Sequence, residues 1–66
     1  MSASNWIHLD DVKIIKETDK AFLIEIEEGK FWIPRGQIAD ADDYHEGDEG
    51  ASMSISEWIA EVKGIA

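Results

Sequence analysis

The sequence predicts a small α+β domain: three to four antiparallel strands in a meander, closed by one C-terminal amphipathic helix. Three observations carry that prediction. Residues 21–27 alternate strictly, with Phe22, Ile24 and Ile26 on one side and Leu23, Glu25 and Glu27 on the other, the period of two that marks a half-buried strand. Polar turn formers divide the first half of the chain at Glu17-Thr18-Asp19-Lys20 and again at Glu28-Gly29. Near the C-terminus, Ile55, Trp58, Ile59 and Val62 recur at i, i+3, i+4 and i+7, the stripe of an amphipathic helix.

The elements follow in order. Residues 1–5 are small and polar and read as a frayed start. Apolar residues resume at Trp6–Leu9, and Val12, Ile14 and Lys16 then alternate against Lys13, Ile15 and Glu17. After the 21–27 strand, Lys30–Ile33 predicts a third, with Phe31 and Ile33 inward and Trp32 half exposed on the opposite face. Pro34 has no N–H and ends ladder pairing, leaving Arg35–Ala39 as a single helical turn or irregular corner. Ala51–Ile55 suits a short fourth strand with Met53 and Ile55 inward. The helix spans 55–63, capped by Ser54 or Ser56, with a capping box between Ser54 and Glu57 and a stop at Gly64. A helix this short is marginal alone, so its stripe must pack on the sheet or on a partner.

The chain has 66 residues, one domain over 1–66, too few for a nucleotide-binding α/β sheet, a barrel enzyme or a cleft between domains. Asp+Glu 15 against Lys+Arg 6 gives a formal net charge of -9. Direct binding to nucleic acid or to an anionic membrane needs clustered basic residues, so both are excluded as expected partners. Without cysteine there is neither a disulfide framework nor a thiolate metal site. No apolar run approaches the roughly 20 residues of a membrane helix, and an intracellular, soluble protein is expected.

Chemistry-bearing motifs are sparse. The imidazoles, His8 and His45, lie in no nucleophile context, and a domain this small has little room for the partly dry cleft that paired carboxylates require. No enzyme activity and no cofactor are therefore expected. A calcium loop begun at Asp40 fails: Tyr44 stands at its fifth position, His45 at its sixth and Ala51 at its twelfth. Gly47-Asp48-Glu49-Gly50 carries carboxylates where a phosphate would sit.

What remains is negative charge. The segment 40–50 holds Asp40, Asp42, Asp43, Glu46, Asp48 and Glu49 with no Lys or Arg, and reads as a solvated loop. Glu25 and Glu27 would share a strand face about 6.6–6.8 Å apart, against duplex phosphates at about 3.4 Å of axis per strand. These eight carboxylates, with Trp32 as an aromatic anchor, form the expected partner-binding surface, a mimic of DNA for a basic nucleic-acid-binding protein.

Residues Lys20–Ile26 and Phe31-Trp32-Ile33-Pro34-Arg35-Gly36-Gln37-Ile38, with Ser56–Gly64, resemble small proteins encoded by phages and other mobile elements. Those share a Lys-Ala strand, a Trp-Ile-Pro-basic-Ser-Gln-Ile corner and a Pro-x-Trp helix ending in Lys-Gly. Gly36 here replaces the usual Ser, and Ser56 the usual Pro. The resemblance covers most of Lys20–Gly64 through packing motifs, and it implies mobile-element origin and a similar fold. A small acidic protein of this kind is also similar to anti-CRISPR inhibitors, which implies a CRISPR effector complex as partner and the cytoplasm of a bacterial host as location. The alternative is a structural or assembly module using Trp32 and the C-terminal helix to join a partner or a second copy of itself, a homodimer.

Overall fold

The computed structural model describes residues 5–65. Four strands, β1 (Trp6–Glu17), β2 (Ala21–Ile26), β3 (Gly29–Pro34) and β4 (Ala51–Ser56), form one antiparallel sheet in the order β3-β2-β1-β4, and one helix, α1 (Glu57–Val62), follows. The small α+β class is as expected. The meander holds from β1 to β3. The fourth strand returns past both to lie beside β1, which is Greek-key order.

β1 is the shared strand. Its first half, from Trp6 to Val12, pairs with β4, and its second half, from Lys13 to Glu17, pairs with β2. Two bulges let it serve both neighbours. Leu9 pairs with Met53 and Val12 with Ala51, so Asp10 and Asp11 together oppose Ser52. Asp11 adopts a left-handed φ of 59°, a conformation that Asp tolerates better than bulky residues. The extra residue explains why Leu9 and Val12, three apart, are both buried. A second bulge at Ile15 separates the pairs Ile14–Ile24 and Lys16–Leu23. It carries Lys16 out to the solvent face, away from the side where unbroken alternation after Val12 and Ile14 would put it.

The core combines Val12, Ile14, Phe22, Ile24, Ile33, Met53 and Ile55, all essentially inaccessible, with Leu9, Ile26, Ile38, Ile59 and Ala60. Inward Phe22, Ile24, Ile26, Ile33, Met53 and Ile55 match the sequence pattern, and Phe31 is half-buried against them. After β3, a 3₁₀ turn at Arg35–Gln37 leads to Ile38, which bridges Ile55 on the outer side of β4. Ala39 N–H donates to Ser54 C=O at 2.9 Å. The edge of β4 is thereby covered.

The C-terminal helix departs from the expected stripe. Ile55 belongs to β4, and α1 covers only six residues, of which Ile59 and Ala60 are buried. Trp58 and Val62 remain 61% and 58% exposed. The chain leaves β4 in a direction that sets Ile59 and Ala60 against the sheet and turns Trp58 and Val62 away. The N-cap is Ser56, whose Oγ accepts from Ile59 N–H at 3.1 Å. The Ser54–Glu57 box does not form: Ser54 Oγ pairs with His8 Nδ1, and Glu57 Oε1 accepts from Asn5 Nδ2. Gly64, at φ 74°, ends the helix as expected. Ile65 N–H reaches Ala60 C=O and Gly64 N–H reaches Glu61 C=O, the two bonds of a Schellman motif. Of the frayed start expected for residues 1–5, only Asn5 lies within the described residues.

Candidate functional site

The Asp10–Asp11 bulge, the end of the β2–β3 hairpin and the entry to β4 converge on one open recess of about 470 Å³. Asp10, Asp11, Glu25, Glu27 and Glu49 supply five carboxylates, and Lys13 is the one cation. Sequence reasoning named Glu25, Glu27 and Glu49, and the fold brings them together from β2, the hairpin turn and the loop before β4. It missed Asp10 and Asp11. The legible signal was Leu9-Asp10-Asp11-Val12, where apolar residues three apart break strict alternation and call for a bulge.

Two expectations about this surface need correction. β2 ends at Ile26, and Glu27 is the first of two turn residues joining Ile26 to Gly29. Glu25 and Glu27 are thus not a comb along one strand, because the tight turn takes Glu27 out of the pleat. Glu25 also lies directly between two lysines, opposite Lys13 on β1 and Lys30 on β3. Directly opposed residues share a sheet face, so this row alternates in sign. The uncompensated negative charge sits at the mouth of the recess, on the bulge, the turn and Glu49.

The segment 40–50 forms a second acidic site, and its backbone is not free. Ile14 N–H donates to Asp48 C=O and Gly47 N–H to Ile14 C=O, both at 2.8 Å. Glu46 N–H donates to Glu17 Oε1 at 3.2 Å, and Glu17 N–H to Glu46 Oε1 at 3.1 Å. Asp48 Oδ2 accepts from His45 N–H at 2.8 Å. Glu46 and Asp48 therefore hold the loop against β1. Asp40, left-handed at φ 54°, leads into a 3₁₀ turn at Ala41–Asp43. Tyr44 is half-buried, and its hydroxyl donates to Ser52 C=O. Burial raises the Tyr44 pKa, and the Asp40 and Asp43 charges raise it further.

Arg35 links this segment to the sheet. Its Nη2 is 2.7 Å from Glu17 Oε2, its Nε donates to Thr18 C=O at 2.9 Å, and its guanidinium lies 4.5 Å from the Phe22 ring centroid. Its second carboxylate, Asp42, is 3.5 Å away and fully solvated. Asp40, Asp42 and Asp43 form a solvent-facing group apart from the recess. Trp32 lies on the outer face of β3 opposite Leu23, 43% exposed as the alternation predicts.

The recess is open and wet, suited to attracting ammonium and guanidinium groups by long-range field and exchangeable ion pairs. Among the described residues, no three His, Asp or Glu side chains are close enough to hold a metal ion, and no helix is long and apolar enough to cross a membrane. No protein-family model matches the chain, and comparisons with curated proteins and with solved structures find no match.

Proposed function

We propose that this protein is a non-catalytic inhibitor that docks its acidic recess onto the basic groove of a nucleic-acid-binding protein and excludes DNA. The observation that carries the reading is the convergence of Asp10, Asp11, Glu25, Glu27 and Glu49 around one open concavity. The solvated aspartates of the 40–43 segment add a second negative surface, and charge of this kind sets association rate and register. The partner class is a CRISPR effector complex or a comparable defence protein in the cytoplasm of a bacterial host. The test is DNA binding by a purified CRISPR effector with and without this protein, at low and high salt. Inhibition should weaken at high salt and disappear for the combined variant Asp10→Asn, Glu27→Gln, Glu49→Gln, which spares the bonds that hold the 40–50 loop. Full inhibition by that variant, or none by the parent across a panel of effectors, overturns the reading.

A second reading is supported by a different observation: Trp58 and Val62 are exposed on α1, and Trp32 on β3. An assembly module would bind its protein partner through these groups, insensitive to salt and sensitive to Trp58→Ala.

A further inference from the structure

The two edges of the sheet are unlike. Ile38 and Ala39 cover the edge of β4, whereas among the described residues β3 lies at the end of the strand order with β2 on one side only. The phase of the β2–β3 ladder says which groups β3 leaves open. Arg35 N–H donates to Lys20 C=O at 2.8 Å, so the pairs in step with it, Phe22–Ile33, Ile24–Phe31 and Ile26–Gly29, are the ones that exchange hydrogen bonds. Thr18 N–H reaches Ala21 C=O at 2.9 Å, which gives the same phase from the β1 side. The residues between, Lys30, Trp32 and Pro34, aim their main-chain groups away from β2. Pro34 has no N–H to leave unpaired there. Lys30 and Trp32 each present both an N–H and a C=O, and an exposed edge of this sort is a template for another strand.

We infer that β3 pairs with β3 of a second copy of this chain, antiparallel about a two-fold axis at Phe31. In this register Lys30 and Trp32 each use both the outward N–H and the outward C=O. Lys30 lies opposite Trp32 of the second copy, Trp32 opposite its Lys30, and each pair exchanges two hydrogen bonds. Centring the pair on Trp32 would set Lys30 against a proline that cannot donate. In the Phe31-centred register each Lys30 ammonium stands beside a tryptophan ring of the other copy, a cation–π arrangement. The half-buried Phe31 rings meet on the opposite face. No carboxylate stands at the seam to oppose the pairing, since Lys30 is the one charged residue of β3. Because the β4 edge is covered, the pairing closes on itself as a dimer and does not propagate into a filament.

The dimer is independent of the acidic recess, and its salt dependence is opposite in sign. Two chains of like charge repel, so raising the salt strengthens the dimer, whereas an ion-paired partner is released. The experiment is sedimentation equilibrium of the full chain in a concentration series up to about 1 mM, because so short an interface belongs to the weak class. The expected result is a species of twice the 7.4 kDa chain mass, increasing with protein and with salt. Trp32→Pro removes one outward N–H without touching a β2–β3 hydrogen bond and should abolish the dimer. Lys30→Glu, which keeps the backbone intact and places a carboxylate beside Glu25, should do the same. A parent that stays monomeric throughout overturns the inference, and so does a dimer that survives both substitutions. Should Trp32→Pro fail to fold, amide exchange of the parent decides: protection of the Lys30 and Trp32 N–H groups must rise with protein concentration, and unchanged exchange overturns the pairing.

Discussion

Arg35 is the cation around which the chain reversals are organised. One guanidinium meets the Glu17 carboxylate, the Thr18 carbonyl and the Phe22 ring. Charged hydrogen bonds of this kind are worth more than neutral ones, so Arg35→Ala should cost about 2 kcal/mol in urea unfolding. Arg35→Lys should recover only part of that, since an ammonium cannot reproduce the planar fork. Asp42→Asn should leave the midpoint unchanged, because that carboxylate is fully solvated. Tyr44 gives the fold an alkaline sensitivity. Its folded pKa lies above the unfolded value near 10, so the fold favours the neutral phenol. That contribution is complete below about pH 10 and is lost as pH rises through the folded pKa. Stability of the parent should therefore fall at alkaline pH more steeply than that of Tyr44→Phe, read from unfolding midpoints across the range.

At the scale of the element, the first bulge of β1 does most to shape the site. It keeps Leu9 and Val12 on one face while turning Asp10 and Asp11 toward the recess. A strand without the extra residue would put one of the two apolar side chains into solvent, because a slip of one residue exchanges the faces. Asp11→Val should cost about 1–2 kcal/mol, as a β-branched residue at left-handed φ is strained. Asp11→Gly should keep or raise stability while lowering the charge of the recess. The outcome is read from paired urea titrations, and equal midpoints for Val and Gly would mean that the bulge relaxes to another geometry. The helix obeys the same logic of local rules under tertiary control. Its cap at Ser56 and its stop at Gly64 are set locally, while which of its apolar residues are buried depends on how β4 delivers the chain.

For the whole molecule, a charge of -9 on 66 residues imposes self-repulsion on the folded state. Opposed to it is a core of twelve buried apolar residues spread over all four strands and the helix, with no buried polar or charged side chain among the described residues. Screening lengths fall to about 10 Å at 0.1 M salt, so the urea midpoint should rise with added sodium chloride. A falling midpoint would mean that ion pairs such as Arg35–Glu17 outweigh the repulsion. The acidity serves the proposed docking in the same way: the field that steers a basic partner is the field that opposes compaction.

Features that depend on neighbours along the chain were legible in the sequence. Alternation over Ala21–Ile26 and Phe31–Ile33 marked the strands and their inward residues, and Gly64 marked the helix stop, because pleat period and a left-handed φ are local constraints. Pro34 does not end the ladder as expected: it pairs with Ala21, and Arg35 N–H still donates to Lys20 C=O beyond it, because the missing N–H faces away from β2. The recess was half legible: Glu25, Glu27 and Glu49 stood out as charge, while Asp10 and Asp11 were hidden in an apparently irregular strand. The rest came from contacts across the fold. That β4 lies beside β1, that Lys13 stands opposite Glu25, that the 40–50 backbone is fastened to Ile14, and that Ile59 and Ala60 are buried in place of Trp58 and Val62 all depend on pairings between residues far apart in the chain. Register and crossing direction are fixed by the global fit of one core, and no local pattern encodes them.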